Sequence, residues 1–183
     1  MILEAPIIQE EKRSFWKDLK ADAITTIGSD SLPKIIKLLF LHSGFQLLLT
    51  YRLQQTISKY GLIGNIIGRL MLKLGTDLTS CHINHQASLE GGIHFPHATG
   101  IVIGEGSIIH SGVTIYQNVT IGRRKNLDYP ELLSNCTIYP GAQILGNIVI
   151  GKNAQVGANA VVIESVPDNA SVVTMTAQLI KPK

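Results

Sequence analysis

Residues 138–166, IYPGAQILGNIVIGKNAQVGANAVVIESV, carry an aliphatic residue at every sixth position. The series is Ile138, Ile144, Ile150, Val156 and Val162, and an earlier series with the same spacing is Ile103, Ile109, Ile115 and Ile121. Four positions after most members comes a small or β-branched residue, such as Val113 or Ala142. Neither the 3.6-residue period of a helix nor the alternation of a half-buried strand fits this spacing. A sustained six-residue period predicts a parallel β-helix, in which each unit forms one flat side of a triangular coil.

The six-residue period is interrupted twice. Eight residues separate Phe95 from Ile103, and seventeen separate Ile121 from Ile138. The second interruption holds GRRKNLDYPELLSN, which is polar, basic and rich in turn-forming residues. Solenoids place insertions outside the coil, where binding and catalytic residues concentrate. The sequence therefore predicts an external loop near residues 122–137 and directs the search for a site to both interruptions.

The chain before the repeats has a helical pattern. We expect residues 1–78 to form a helical N-terminal segment, with helices near 14–24, 32–58 and 61–74, and residues 79–183 to form the β-helix domain. Ser31 followed by Leu32 and Pro33 is typical of a helix start. The run from 34 to 60 is apolar on more than one face, which predicts burial against the same protein or against sister subunits. An interfacial membrane helix is the alternative.

Composition restricts the class of protein. Of the 183 residues, 45% are apolar and 16% are charged, which provides a sizeable core and argues against disorder. A net charge of +3 gives no support for nucleic-acid binding. Cys81 and Cys136 are too few for a disulfide framework and are interpreted as structural. With no signal-peptide pattern and no long apolar run, we expect a cytoplasmic protein without a transmembrane segment, while peripheral membrane contact stays open.

Several segments resemble one family. The segment HFPHATGIVIGE, residues 94–105, resembles the active-site segment of serine acetyltransferases, and residues 141–170 resemble their final coils. SGFQLLLTYRLQQ, residues 43–55, and FWKDLKADA, residues 15–23, resemble their helical segments. The resemblance implies a left-handed β-helix, acetyl-coenzyme A as co-substrate, no metal, and a homotrimer, with pairing of trimers left open. Chain length and tail also resemble the polysaccharide O-acetyltransferases of the colanic-acid type.

His97 matches the catalytic histidine of this family. Acetyl transfer from a thioester to an alcohol requires removal of the hydroxyl proton, and an imidazole that titrates near pH 6.5 is suited to this at neutral pH. Histidines also occur in two HxxH spacings, His82 with His85 and His94 with His97. Such spacing is typical of zinc sites only in a helical or knuckle context. The sequence therefore favours a general base over a metal ligand at His97.

Four positions depart from the family pattern in the acceptor site. By resemblance, the acceptor-binding positions are His82 and Pro96, where the family has carboxylates, and Asp128 and Tyr129, where it has an Arg-His pair. A zwitterionic amino acid is costly to bury without fixed charges of both signs. We therefore expect the acceptor to be a glycan hydroxyl in surface polysaccharide biosynthesis. Serine for cysteine biosynthesis is one alternative, and a non-catalytic solenoid that binds a partner is another.

The remaining expectations concern the cofactor and the support of His97. By resemblance, the cofactor-binding positions are Gly122, Arg123, Pro140 and Ala158, although Pro140 has no N–H to donate. Arg123 and its basic neighbours suit the coenzyme's phosphates or an acidic glycan. Glu90 or Asp77 is expected to replace the missing carboxylate partner of His97.

Overall fold

The computed structural model describes residues 14–125 and 128–175. Helices precede strands throughout this part of the chain. The helices are α1 (Phe15–Ile27), α2 (Leu32–Leu41), α3 (Ser43–Ile57), a 3-10 turn (Ser58–Tyr60) and α4 (Gly61–Thr79). The strands are β1 (His82–Ile83), β2 (Ser88–Leu89), β3 (Val102–Ile103), β4 (Ile108–Ile109), β5 (Thr114–Ile115), β6 (Thr120–Gly122), β7 (Glu131–Leu132), β8 (Thr137–Ile138), β9 (Gln143–Leu145), β10 (Val149–Ile150), β11 (Gln155–Val156), β12 (Val161–Val162) and β13 (Ser171–Val172).

The strands form a parallel β-solenoid with three sheets, which confirms the predicted fold class. Sheet A runs β1-β3-β6-β9-β12, sheet B β2-β4-β7-β10 and sheet C β5-β8-β11-β13. Each strand pairs in parallel with its equivalent one coil away, so Ile103 lies beside Ile121 and Ile144 beside Val162, eighteen residues apart in each case. The aliphatic residues of the six-residue period are buried in the solenoid core. Their burial against one another is the main force that stabilises the stack.

The interruption between Ile121 and Ile138 is shorter than the sequence predicted. Leu132 in β7 is buried and lies in register with Ile109 and Ile150, so it belongs to the six-residue series. The prediction of an external loop near 122–137 was therefore too wide, because β7 and the start of β8 lie inside that range. The sequence pattern did not predict Leu132 as a core residue because turn-forming and polar residues surround it. The additional residues of this interruption therefore fall between the end of β6 at Gly122 and the start of β7 at Glu131.

The long helix predicted for residues 32–58 is two helices. His42 ends α2 and begins α3 in an extended conformation, and its Nδ1 accepts a hydrogen bond of 3.2 Å from the N–H of Phe45. A side chain that satisfies a free N–H in the first turn allows a helix to begin there. The chain consequently bends by 103° between α2 and the following helical stretch. Helix α4 also continues to Thr79, beyond its predicted end.

A buried ion pair ties the helices to the first coil. Arg52 on α3 and Asp22 on α1 form two nitrogen–oxygen contacts of 3.2 Å. Asp22 Oδ1 also accepts hydrogen bonds from the N–H groups of Gly92 and Ile93, at 2.8 and 3.0 Å. Arg52 Nη1 donates to the carbonyl of Leu89 at 2.6 Å. Helices α1 and α3 are thus fixed against the segment that leads into His97.

A membrane-spanning helix needs about 20 consecutive, predominantly apolar residues. Within the described residues, no single helix is long and apolar enough, although α2 together with the bent stretch Ser43–Thr79 meets the criteria as a pair.

Candidate active site

Two corners of the triangular coil carry the candidate residues. We call the corner between sheets C and A the His97 corner; in successive coils it comprises residues 96–100, 116–118, 139–141 and 157–159. We call the corner between sheets A and B the loop corner; it comprises residues 104–107, 123–125, 128–130 and 146–148. The two corners lie at opposite edges of sheet A.

The His97 corner is built from stacked left-handed residues. Gly100, Asn118, Gly141 and Asn159 have φ of 65°, 59°, 75° and 59°. Asparagine is one of the few side chains that tolerate this conformation. A Cβ on Gly100 would collide with the Asn118 side chain, so glycine alternates with asparagine because there is room for only one side chain per pair. The regular turns hold each coil in register beside His97.

His97 lies on the shorter interruption of the period and is exposed. The extra length is two residues, since Ile83 pairs with Ile103 twenty residues later instead of eighteen. The His97 ring centroid lies 6.4 Å from that of Tyr116, with the planes inclined at 55°. In the part of the chain that the structure describes, no side-chain hydrogen bond to the ring is recorded. The imidazole is therefore accessible to a hydroxyl substrate, as a general base must be.

Two further histidines lie behind His97. The rings of His42 and His94 stack with centroids 6.0 Å apart. Desolvation by burial lowers the pKa of His42, and the proximity of His97 lowers it further. Burial also lowers the pKa of His94, with added contributions from His42 and His97. Both rings are consequently neutral at neutral pH and place no positive charge beside His97.

The lowered pKa values make stability depend on pH. An unfolded histidine titrates near pH 6.5, whereas folded His42 and His94 resist protonation, so the unfolded state binds more protons below that pH. Stability is therefore lost as the pH falls from about 6.5 through the lowered pKa values. The urea-unfolding midpoint of the parent should fall between about pH 7.5 and about pH 5, and we expect this fall to be smaller in the His94→Gln variant. Equal shifts in parent and variant, measured at one protein concentration, would contradict this.

The carboxylates expected to support His97 are engaged elsewhere. Glu90 Oε1 lies 2.9 Å from His110 Nδ1, and the other ring nitrogen of His110 lies 2.8 Å from Glu131. Asp77 pairs with Lys73 at 3.0 Å on the exposed face of α4. The proposed substitution of Glu90 or Asp77 for the family's carboxylate was therefore wrong. The partner of Asp77 lies four residues away and that of Glu90 one coil away. Sequence spacing around His97 does not reveal either contact.

The predicted acceptor-binding residues fall into two groups. Pro96 directly precedes His97, and His82 is exposed on β1 at the beginning of sheet A. Asp128 and Tyr129 lie at the loop corner, where the Tyr129 ring covers Gly104 and Gly106. Within one chain the structure does not bring these two groups together.

The predicted cofactor-binding residues divide in the same way. Pro140 and Ala158 lie at the His97 corner in successive coils, linked by a 2.9 Å hydrogen bond from the Asn159 N–H to the Pro140 carbonyl. Gly122 ends β6 at the loop corner. Arg123 follows it, with its guanidinium 5.8 Å from the centroid of the Tyr129 ring. Tyr129 and Arg123 thus hold the external loop against the solenoid.

No group of three or more His, Cys, Asp or Glu side chains within residues 14–125 and 128–175 is arranged to hold a metal ion. His82 and His85 instead line a shallow pocket of about 330 Å³ between α4 and β1. Both cysteines are free and buried, and desolvation raises the pKa of the Cys136 thiol to about 12. Such a thiol is inert at neutral pH.

Sequence reasoning missed two residues at this site. His42 lies near His97 from the junction of α2 and α3, far away in sequence, and no local pattern marks it. Tyr139 stacks on Tyr116, and counting coils would have placed the two in one column, since Ile115 and Ile138 are equivalent positions.

Comparison with known proteins identifies the family. The model of the bacterial transferase hexapeptide family (six repeats) matches residues 130–164. The chain is 35% identical over 169 residues to the serine acetyltransferase of Synechococcus elongatus, a match that covers 90% of this chain and 68% of that protein. It is 40% identical over 178 residues to the serine acetyltransferase of Buchnera aphidicola, covering 92% and 64%. The chain belongs to the serine acetyltransferase family.

The fold agrees with this assignment. The crystal structure of the Brucella abortus serine acetyltransferase in complex with coenzyme A superposes with a TM-score of 0.77 at 27% identity, covering 90% of this chain and 66% of that one. The resemblance inferred from the His97 segment and the final coils is thereby confirmed. The chain spans about two thirds of the length of these serine acetyltransferases.

Proposed function

We propose that the protein transfers an acetyl group from acetyl-coenzyme A to the hydroxyl of serine. The observation that carries the proposal is 35–40% identity to serine acetyltransferases along about nine tenths of the chain. His97, which lies in the segment that resembles the family's active-site segment, is exposed. This revises the expectation of a polysaccharide acceptor, because the comparisons favour the serine alternative. Membership of an acyltransferase family also argues against a non-catalytic binding module.

The chemistry needs one base and no covalent intermediate. The His97 imidazole removes the proton of the acceptor hydroxyl as its oxygen attacks the thioester carbonyl carbon. The tetrahedral intermediate collapses by breaking the carbon–sulfur bond, which gives the O-acetyl ester and the coenzyme A thiolate. The imidazolium returns its proton to the thiolate. Neutral His42 and His94 add no positive charge that would oppose protonation of His97.

A second copy of the chain completes the site. Gly122, Arg123, Asp128 and Tyr129 lie at the loop corner, across sheet A from His97. If these residues serve the same reaction, the loop of one copy must face the His97 corner of another. We infer a homotrimer, in which three triangular coils can present these corners to one another.

The surface of the helical segment agrees with assembly. Large aliphatic side chains on one side of α4 are exposed by 46% to 83%. They are Leu62, Ile63, Ile66, Ile67, Leu70, Leu74 and Leu78. An apolar surface of this extent is typical of an interface, and continued contact with water would be unfavourable. We therefore propose that residues 14–79 contribute contacts between subunits.

Comparison of serine with sugar acceptors tests the proposed function. We expect kcat/KM for serine in the range of ordinary enzymes, above about 10⁴ M⁻¹s⁻¹, and above the value for every sugar in a panel of nucleotide sugars and oligosaccharides. Release of the coenzyme A thiol is the measurement. The sugar panel is included because His82 and Pro96 replace carboxylates, which would leave the serine amine without its usual partners.

The same assay has an internal control. Thiol release by the His97→Ala variant gives the background from hydrolysis of the thioester. A sugar acceptor with a higher kcat/KM than serine would reject the serine proposal and leave acetyl transfer intact.

A further inference from the structure

A pocket of about 330 Å³ lies between α4 and β1, the first strand of sheet A. Leu72 of α4 and Ile83 of β1 line this pocket and are only 6% and 2% exposed, so they give it an apolar floor. The volume lies at the lower end of the range that holds small organic molecules. His97 is not among the lining residues, so the proposed general base does not form part of this pocket.

Basic side chains surround the apolar floor. Arg69 and Lys73 lie four residues apart on one face of α4, and His82 and His85 lie on the opposite wall, on β1 and the turn that follows it. Among the residues that the structure describes, no acidic side chain lines the pocket. An apolar floor with several positive or protonatable groups around it favours a small ligand that carries negative charge.

Arg69 provides the positive charge that is least neutralised by its neighbours. Its Nε donates a hydrogen bond of 3.1 Å to Asn65 Oδ1, and it forms no ion pair with any other residue of the described ranges. Lys73, in contrast, pairs with Asp77 at 3.0 Å. The two Nη groups of Arg69 can therefore present paired donors to a carboxylate or phosphate group, for which a guanidinium has the right geometry.

The pKa of His85 reflects the same accumulation of positive charge. Burial lowers this pKa, the proximity of Arg69 lowers it further, and Glu105 acts in the opposite direction. Arg69 and His85 thus approach each other from the two walls of the pocket although both are basic. An anion between them would replace this repulsion by two attractions and would stabilise the imidazolium form of His85.

We propose that this pocket binds a small organic anion through its phosphate or carboxylate group, with the Nη groups of Arg69 as the main donors. Lys73 and His85 supply further donors, and the apolar floor contacts the remainder of the ligand. This site goes beyond the proposed acetyl transfer, because it does not include His97. His82, which was expected by resemblance to bind the acceptor, belongs to this second site in our proposal.

NMR titration of the histidine ring resonances of the full chain tests the proposal, with inorganic phosphate and acetate as separate probes. The His85→Gln variant identifies the His85 resonance. We expect a saturating anion to raise the titration midpoint of His85 by about half a pH unit or more. The reference is sodium chloride at equal ionic strength, because salt alone screens the repulsion between Arg69 and His85. The probe with the larger effect shows whether the ligand carries a phosphate or a carboxylate.

Substitutions locate the bound anion. Arg69→Gln is expected to raise the Kd of the better probe about five- to tenfold, which is less than a buried charge-assisted hydrogen bond would give, because Arg69 is exposed. Kd values are compared because loss of Arg69 by itself changes the midpoint of His85. Lys59→Gln removes an exposed cation from the 3-10 turn and should keep the parent's Kd, as the matched control. Arg123→Gln should also keep it, because Arg123 lies at the loop corner.

Three results would overturn the proposal. The first is a His85 midpoint that rises no more with either anion than with sodium chloride, which is also the result expected if another copy of the chain covers the pocket. The second is an equal Kd in the parent and in Arg69→Gln. The third is binding that is lost in Arg123→Gln and kept in Arg69→Gln, which would place the anion at the external loop. None of these measurements uses an acyl donor or acceptor, so failure of the proposed serine acetylation would leave them unaffected.

Discussion

Replacement of His97 by alanine is expected to lower kcat for acetyl transfer by roughly two to four orders of magnitude, the usual contribution of a general base. The variant loses the group that takes the hydroxyl proton in our proposal. KM for acetyl-coenzyme A should change little, because the proposed role of His97 is to remove the proton of the acceptor hydroxyl and not to bind the donor. Initial rates of thiol release at saturating substrates provide the measurement.

For this prediction, the fall in kcat must come from the missing imidazole and not from a change in folding or assembly. His97 is exposed and makes no core contact, so we expect the variant to keep the parent's Tm and its mass by light scattering. A His97→Ala enzyme that acetylates at the parent's rate would refute the proposed base.

Loss of the Asp22 carboxylate is expected to produce the largest effect on stability. Asp22→Ala removes the nearer carboxylate partner of the buried Arg52 guanidinium and leaves only Asp18, at 3.9 Å. Breaking a buried pair in this way typically costs about 3–5 kcal/mol. The substitution also leaves the N–H groups of Gly92 and Ile93 without an acceptor. Burial raises the pKa of Asp22, and the guanidinium and the two N–H groups act in the opposite direction, so the carboxylate depends on these partners. Denaturant unfolding at fixed protein concentration measures the change in the free energy of unfolding.

The chain offers a matched control for this prediction. Asp77 and Lys73 also form a carboxylate–cation pair, at 3.0 Å, but their side chains are 57% and 69% exposed. Exposed pairs of this kind contribute about 0.3–0.5 kcal/mol, so Asp77→Ala should be almost neutral. Comparable losses in the two variants would mean that burial of the Asp22–Arg52 pair has no special role. We also expect acetyl transfer to fall in Asp22→Ala, because the loosened segment leads directly into His97.

The helical segment shows which features local sequence patterns predict and which they do not. Apolar patterning predicted helices before residue 79, and the structure contains them. The break at His42 was missed because the run is apolar on both sides, and the cap depends on a side-chain conformation that the pattern does not specify. The anchoring of α1 and α3 was likewise hidden, since Asp22, Arg52 and Gly92 lie thirty to seventy residues apart.

The solenoid, the family and the position of His97 could be predicted from the chain alone, because each depends on local information: a six-residue period, or a short motif at an interruption of that period. How those pieces meet could be seen only in the folded chain. In the folded chain, Leu132 lies in the core and the loop residues lie across sheet A from His97. Glu90 contacts His110, and Tyr139 stacks on Tyr116. All four depend on the register between coils, and that register is set by the packing of residues eighteen to twenty-three positions apart, which no local pattern specifies.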